Sequence, residues 1–460
     1  MDYANTALFP ALPLPQAALR ALDILESAGY DAWIVGGCVR DFIMHRPCTD
    51  IDIASAALWE DAERLFLDAG YRVQRTGTKH GTITVLVDDQ SFEVTTFRID
   101  GMYKDARHPK QVKFVRTIEE DLARRDFTMN AIAYHPQRGY VDKFNGLGDI
   151  QQRVIRAVGN PNARFNEDAL RILRGCRFCS QLGFTIEPLT YQDMYVNKGL
   201  MTRISPERAL HELDLFILGD YVHDALLSTV DIMSALMPEL VAAKGFDQKS
   251  KYHCYDVLEH TAYAMQNVPR YRLVRWAAFL HDLGKPASYF THEDGIGHFY
   301  LHAKISAFMA EGILRRLKMS PSFMEQVCLL VRVHDDFIEP TPKSVKRMLA
   351  KLDGNTELFC ALCDLKFGDA MGHAPSYRGR AKQAMELKSV MNQVLVEGEA
   401  FSLKHLAING RDVINAGVEA GPEVGRLLKA ALSEVIDEHL PNTKEALMSY
   451  VLENARPSEE

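Results

Sequence analysis

Two aspartates one residue apart, Asp50 and Asp52, follow a Gly36-Gly37 pair and Arg40, and no other stretch of the chain gathers so much chemistry so closely. A strand over residues 50–54 points both carboxylates to one face, with Ile51 on the other. Two carboxylates on a rigid strand can hold a divalent cation such as Mg²⁺ against triphosphate oxygens. The glycines let the chain turn tightly with no Cβ in the way. A helix predicted over 38–45 would aim its free N–H groups at that turn, and Arg40 adds a side-chain donor for the same anion. The plainer reading is a surface turn followed by two solvated aspartates. Both motifs at this separation, beside an apolar strand over 32–35, instead favour nucleotidyl transfer.

Further polar clusters follow. Glu93, between Phe92 and Val94, becomes a third acidic group if its strand lies beside Asp52, and otherwise faces solvent on an edge. Residues 121–133 read as a helix start whose Arg124, Arg125, Asp126 and Asn130 could hold phosphate and ribose hydroxyls. Self-pairing of these charges is the alternative. In residues 166–178, a spacing of three strings Asp168, Arg171, Arg174 and Arg177 along one helix face, with Leu170, Leu173 and Phe178 turned into a core. Three arginines outnumber the single aspartate, an excess that suits a phosphate or a base edge better than an internal ion-pair ladder. Asp and Arg also carry the acceptor and donors to pair with a base's Watson–Crick edge, so a nucleotide could be chosen without a nucleic-acid template.

A second constellation lies in residues 251–370: His253, His260, His281-Asp282, His302, His334 and Asp369. Imidazoles and carboxylates on packed helices can form a one- or two-metal hydrolytic centre, with His260, His281, Asp282, His302, His334 and Asp369 as ligands. A helical domain that keeps histidines for hydrogen bonding is the alternative. The CxxC pairs Cys176/Cys179 and Cys360/Cys363 sit in helical periodicity without a metal knuckle and read as small buried residues.

The elements that must position these groups are intermixed to about residue 145: helices over 15–29 and 58–70, and strands over 71–75, 81–87 and 91–96, the last two joined by a turn at 88–90. Residues 98–109 read as a mobile charged loop able to act as a lid or lever. Beyond 178 only helical periodicity is evident, and a glycine-punctuated tail with Lys404, His405 and Arg411 could contact a nucleic-acid backbone or serve as packing. At 460 residues, two to four domains are expected. The boundaries fall at 1–148 (head), 149–245 (neck), 246–385 (second helical body) and 386–460 (tail). A formal net charge of −8 argues against a general nucleic-acid coat but permits a local basic groove. No apolar run is long enough to span a membrane and no export signal is evident, so a reduced, cytoplasmic protein is expected.

The ordered set Gly36-Gly37-Cys38-Val39-Arg40-Asp41, Asp50-Ile51-Asp52, the Arg124–Ala131 run Arg-Arg-Asp-Phe-Thr-Met-Asn-Ala, and Glu167-Asp168-Ala169-Leu170-Arg171 resembles the bacterial class II tRNA nucleotidyltransferase and poly(A) polymerase family. The follow-on with His281-Asp282 resembles those members that carry an HD domain. The resemblance implies an α+β fold, a polymerase-β-like head followed by an all-α neck, HD body and tail. It implies addition of CCA to tRNA 3′ ends from CTP and ATP. By motif position, Asp50 and Asp52 would hold the catalytic Mg²⁺. Gly37, Arg40 and Arg124 would contact the triphosphate, and Asp168, Arg171, Arg174 and Arg177 would line the nucleotide pocket. Asp168 and Arg171 would be the template for the base. Relatives that add only CC, only A, or a poly(A) tail are the alternatives. The full-length 98–109 stretch favours complete CCA over CC, and the short acidic terminus counts against poly(A). A metal-dependent HD phosphohydrolase with an RNA-binding head is the rival from another class, a second activity of the HD body is compatible with both, and a purely tRNA-binding role is a third.

Overall fold

The computed structural model describes residues 9–48, 50–100, 112–293 and 295–455. The chain divides into two compact units, Met1–Pro238 and Glu239–Glu460. In the first, α1 (Gln16–Ser27) leads into β1 (Ala32–Val35), α2 (Gly37–Ile43), β2 (Ile51–Ser55), α3 (Trp59–Asp68), β3 (Arg72–Gly77), β4 (Thr82–Val87) and β5 (Gln90–Thr96). A hairpin of β6 (Arg98–Asp100) and β7 (Val112–Phe114) precedes α4 (Ile118–Ala123), β8 (Ala133–His135) and β9 (Gly139–Val141). Seven strands form one mixed sheet in the order β3-β4-β5-β2-β1-β8-β9. Only β2 and β5 run parallel within it.

Period-2 alternation explains how the sheet buries itself. Trp33 and Val35 of β1 join Ile118 and Leu122 of α4 in one core cluster, while Ile34 and Ile53 are buried as well, so the central strands are apolar on both faces. Asp88 and Asp89 take positive φ (48° and 61°) between β4 and β5, the two-residue turn that matches strand twist.

The first unit continues through α5 (Gly146–Gln152), β10 (Val154–Ile155), α6 (Pro161–Glu167), α7 (Leu170–Leu182), β11 (Thr185–Ile186), α8 (Pro188–Asn197), α9 (Pro206–Ile217) and α10 (Val222–Met233). Here α7 packs on α9 and α10. The second unit holds α11 (Leu240–Ala243), α12 (Val257–Asn267), α13 (Arg272–Leu280), α14 (Lys285–Ser288), the hairpin β12 (Tyr289–Thr291) and β13 (Gly297–Phe299), then α15 (His302–Arg316), α16 (Pro321–Val333), α17 (Pro342–Lys351), α18 (Thr356–Met371) and α19 (Gly379–Glu397). Helices α20 (Gly410–Asn415), α21 (Pro422–Ile436) and α22 (Lys444–Asn454) close on their own apolar cluster around Val413, Leu427 and Leu447. The whole is the expected α+β arrangement, a mixed-sheet head and a mainly helical remainder. No helix among the described residues is long and apolar enough to cross a membrane.

Four local expectations are corrected. Residues 98–100 are strand rather than loop, held by pairing with 112–114, and 101–109 lie outside the described residues. The helix expected to start at 121 instead ends at Ala123, because Arg124 and Arg125 turn back to bond Asp121. Asp50 precedes β2 rather than belonging to it. The region past 178 is not purely helical, since β10 pairs with β11 and β12 with β13.

Candidate active site and metal centre

In the head, β1 delivers the chain to Gly36, whose φ of 81° is one that a side chain resists. Space makes the same demand: a Cβ there would stand 2.7 Å from Arg125 Nη1 and 3.7 Å from Asp52 Oδ2. Asp52 sits in register with Val35 on one side and with Glu93 on the other. The strand of Glu93 does lie beside β2, inside the sheet rather than at its edge, with Glu93 exposed, and both Glu93 and Asp50 act electrostatically on Asp52. Burial, with Glu93 and Asp50 adding to it against the pull of Arg125, raises the Asp52 pKa to about 6. Repulsion of the half-buried Asp52 by the exposed Asp50 and Glu93 is what a cation would relieve, so the donor set fits a divalent ion. A cleft of about 920 Å³ opens beside them, lined by Asp50, Glu93, Cys48 and Thr84.

The basic residues are not free. Arg40 spends Nε and Nη2 on Asp41 (3.0 and 2.9 Å) and Nη1 on Asn130 (2.6 Å). Asn130 bonds Asp126 at 3.0 Å, and Asp126 receives Arg174 at 2.8 Å. Arg174 and Arg177 both approach Glu212 of α9, at 3.8 and 3.1 Å. Burial alone would raise the Asp126 pKa, yet Arg174, Asn130 and the Phe127 amide hold it well below the usual carboxylate range. Burial and the neighbouring Arg174 bring Arg177 down to about 10. The guanidiniums of Arg40, Arg174 and Arg177 crowd the Phe178 ring at 5.2, 5.5 and 4.3 Å. Phe178 is also buried, edge-on to Phe127 at 5.8 Å, so the expected core position holds and the arginines line its ring.

Three further points differ from the sequence reading. Asp168 is not on the arginine helix: it links α6 to α7 in extended conformation and bonds the Leu170 amide (3.0 Å) and Arg208 (3.0 Å). Arg171 is tied to Glu167 (2.7 Å) and to the Arg124 carbonyl (2.8 Å). The excess of positive charge also disappears, because Glu167 in the same stretch and Asp126 and Glu212 from other segments supply partners. Glu212 and Arg208 were missed. Their spacing of four on one amphipathic helix was visible, but not that it faces α7. Arg124 gives two nitrogens to Asp121 (2.9 and 2.7 Å). Gly37 opens α2.

The second unit brings all six sequence-selected ligands together. His260, His281, Asp282 and Asp369 form one group, and Asp282, His302 and His334 form another, with Asp282 common to both. His260 Nε2 lies 3.1 Å from Asp282 and 3.0 Å from Asp369. His281 Nε2 is 3.2 Å from Asp282, and His302 and His334 stand 3.5 and 3.6 Å from its other oxygen. Each ring donates Nδ1–H to a backbone carbonyl: His260 to Gly372 (3.0 Å), His281 to Ala278 (2.8 Å), His302 to Phe299 (2.9 Å) and His334 to Val331 (2.7 Å). Those bonds leave every Nε2 aimed inward, the ligand geometry of metal-bound histidine. Both Asp282 oxygens are buried with no well-directed hydrogen bond, although Lys285 Nζ stands 2.6 Å away. Burial would lower the His281 pKa, but Asp282 and Asp369 lift it to about 10, so protons gather where a cation would sit. The chemistry of the set fits metal. The CxxC cysteines take no part: all eight thiols are free, and burial pushes Cys176 and Cys363 up to about 12.

Three family models match successive segments: the poly A polymerase head domain over 32–156, the probable RNA and SrmB-binding site of polymerase A over 183–244, and a putative tRNA nucleotidyltransferase domain 2 over 288–451. The CCA-adding enzyme of Streptococcus gordonii is 33% identical over 447 residues, covering 95% of this chain and 97% of its own. That of Lactobacillus delbrueckii subsp. bulgaricus is 33% identical over 435 residues, covering 94% and 96%. Among solved structures, the Bacillus stearothermophilus CCA-adding enzyme in complex with CTP aligns at a TM-score of 0.67 and 30% identity, covering 95% of this chain and 96% of its own. The Thermotoga maritima CCA-adding enzyme complexed with tRNA shares the fold at a TM-score of 0.57 and 17% identity, covering 94% of each chain. With a sheet that carries Asp52 beside Glu93, arginines gathered at α7 and kinship along nearly its full length, the chain belongs to the family of CCA-adding enzymes.

Proposed function

We propose that the protein adds C, C and A to tRNA 3′ ends from CTP and ATP, releasing pyrophosphate. The observation that carries this reading is Asp52, half-buried and repelled by Glu93 and Asp50 beneath the Gly36 turn. Asp50 and Asp52 are the ligands we assign to Mg²⁺, which when bound would neutralise the leaving phosphates and make the tRNA 3′-hydroxyl a better nucleophile. Gly37 offers backbone close to the triphosphate, and Arg40 and Arg124 donate to it on exchanging Asp41, Asn130 and Asp121 for its oxygens. Asp168, Arg171, Arg174 and Arg177 receive the nucleotide. Base selection by Asp168 and Arg171 requires both to exchange their present partners, Arg208 and Glu167, for the base edge. A head over 1–148, a neck over 149–245, a second body over 246–385 and a tail over 386–460 suit this division of labour. The eight free thiols suit a reducing cytoplasm.

The test is extension of tRNA ending at the discriminator base, C, CC or CCA, with each nucleotide alone and with CTP plus ATP. Growth that halts at CCA from every shortened end is the expected result. A halt at CC, or growth only from CC, would assign the protein to a partial reaction.

A second activity is favoured by one observation, the four histidines whose Nδ1 atoms are all engaged by carbonyls while their Nε2 atoms converge on Asp282. This is an HD-type centre for phosphate-ester hydrolysis. His260, His281, Asp282 and Asp369 would hold one ion, and His302 and His334 with the shared Asp282 a second. Bound metal there would supply an activated water and charge neutralisation at phosphorus. Metal content of the purified protein, lost in His281→Ala while CCA addition persists, tests it.

A further inference from the structure

A cleft of about 320 Å³ opens onto the second unit's histidine–aspartate centre. Beyond the ligands themselves, its lining includes Lys285, His373, Arg380, His298 and Tyr300. Lys285 is already spent, with Nζ 2.6 Å from Asp282 and 2.9 Å from Gln248 Oε1. Arg380 is different. It is exposed near the start of α19, its guanidinium lies 5.6 Å from the centre of the Tyr252 ring, and it has no carboxylate partner among the described residues. It acts electrostatically on His373, which itself stands 3.8 Å from Asp369. An unpaired guanidinium lining the same open cleft as a metal-ligand cluster is placed to take a phosphate oxygen that the centre does not hold.

Part of the same lining is aromatic. His298 and Tyr300 stack with an interplanar angle of 2° and centroids 5.6 Å apart, and Tyr300 is 62% exposed. The stack continues edge-on through His292 to Phe290 along the β12–β13 hairpin. Exposed rings at the rim of a polar cleft have no core to serve, and they offer a face on which a flat group can lie.

Resting on the hydrolase reading above, we infer that Arg380 clamps the phosphate of the substrate and that the His298–Tyr300 wall selects phosphate esters bearing a planar ring. Hydrolysis there forms a bond from a water oxygen to phosphorus, breaks the ester P–O bond, and releases the ring-bearing alcohol with the second water proton.

The experiment uses the full chain loaded with Mn²⁺ or Co²⁺, with metal content measured for every variant. Inorganic phosphate binding is followed by calorimetry, and KM and kcat are measured for p-nitrophenyl phosphate and for glycerol 2-phosphate. Arg380→Ala is expected to weaken phosphate binding and raise both KM values by roughly tenfold, the scale of one charge-assisted contact, with metal content and CCA addition unchanged. Arg380→Lys should recover part of that loss. Tyr300→Ala should raise KM for p-nitrophenyl phosphate alone. Unchanged phosphate affinity in Arg380→Ala, or an equal effect of Tyr300→Ala on both esters, would overturn the inference while leaving the metal centre standing. A wild-type protein that takes up neither ion would overturn the hydrolase reading and this inference with it.

Discussion

Asp52 shows how little a residue's type says without its neighbours. A DxD pair on a surface would titrate near 4 and do nothing, whereas here burial and the adjacent Glu93 and Asp50 lift it to about 6. Asp52→Ala should cost several kcal/mol of transition-state stabilisation, roughly a thousandfold or more in incorporation rate, with tRNA binding retained in a gel-shift assay. Asp126 makes the opposite case: its carboxylate is ionised in the fold because Arg174 and Asn130 pay for its burial. Its folded pKa lies below the unfolded value, so the stability it contributes is present above about pH 4 and is lost as pH falls through the folded value. Urea midpoints measured from pH 6 down to pH 3 should fall more steeply for the wild type than for Asp126→Asn. At neutral pH, Arg174→Met should cost roughly 3–5 kcal/mol, since it leaves a buried carboxylate without its cation.

At the scale of elements, both sites depend on close approach. Gly36 admits Arg125 over the end of β1, and Gly372 lies against His260, where a Cβ would fall 2.6 Å from Nδ1. Gly368 does the same for two helices: a Cβ there would stand 2.7 Å from the Ala264 carbonyl, so its absence lets α18 rest on α12 and sets Asp369 beside His260. Gly368→Ala should therefore destabilise the protein by about 1–3 kcal/mol and lower metal content, read by thermal denaturation and elemental analysis. Helix ends matter as much as helix faces. His281 and His334 each follow the last residue of a helix, where the ring can bond the carbonyl three residues back and turn Nε2 inward.

Over the whole molecule, the two compact units carry separate chemistry, the carboxylate–arginine site in one and the histidine–aspartate centre in the other. Ligand binding to the folded state alone raises stability, by about 2.7 kcal/mol at a hundredfold excess over Kd. Addition of Mn²⁺ should thus raise the melting temperature of the wild type, and chelation should lower it. His281→Ala should abolish that shift while keeping nucleotide addition.

The motifs, their order and the alternation from Ile51 through Asp52 were legible in the sequence, because local periodicity sets which side of a strand or helix a residue takes. So was the gathering of six histidines and aspartates that could hold metal, since few other demands place so many imidazoles and carboxylates in apolar helices. What only tertiary structure decided was partnership. Glu93 became part of the acidic group because β5 pairs with β2. The arginines of α7 found their counter-charges on Asp126 and Glu212, segments distant in sequence. Asp168 left the arginine helix for the link between two helices, and Arg380 came to line the same cleft as the histidine–aspartate centre. Contacts across such separations depend on how elements pack, and no local pattern of residues encodes which face meets which.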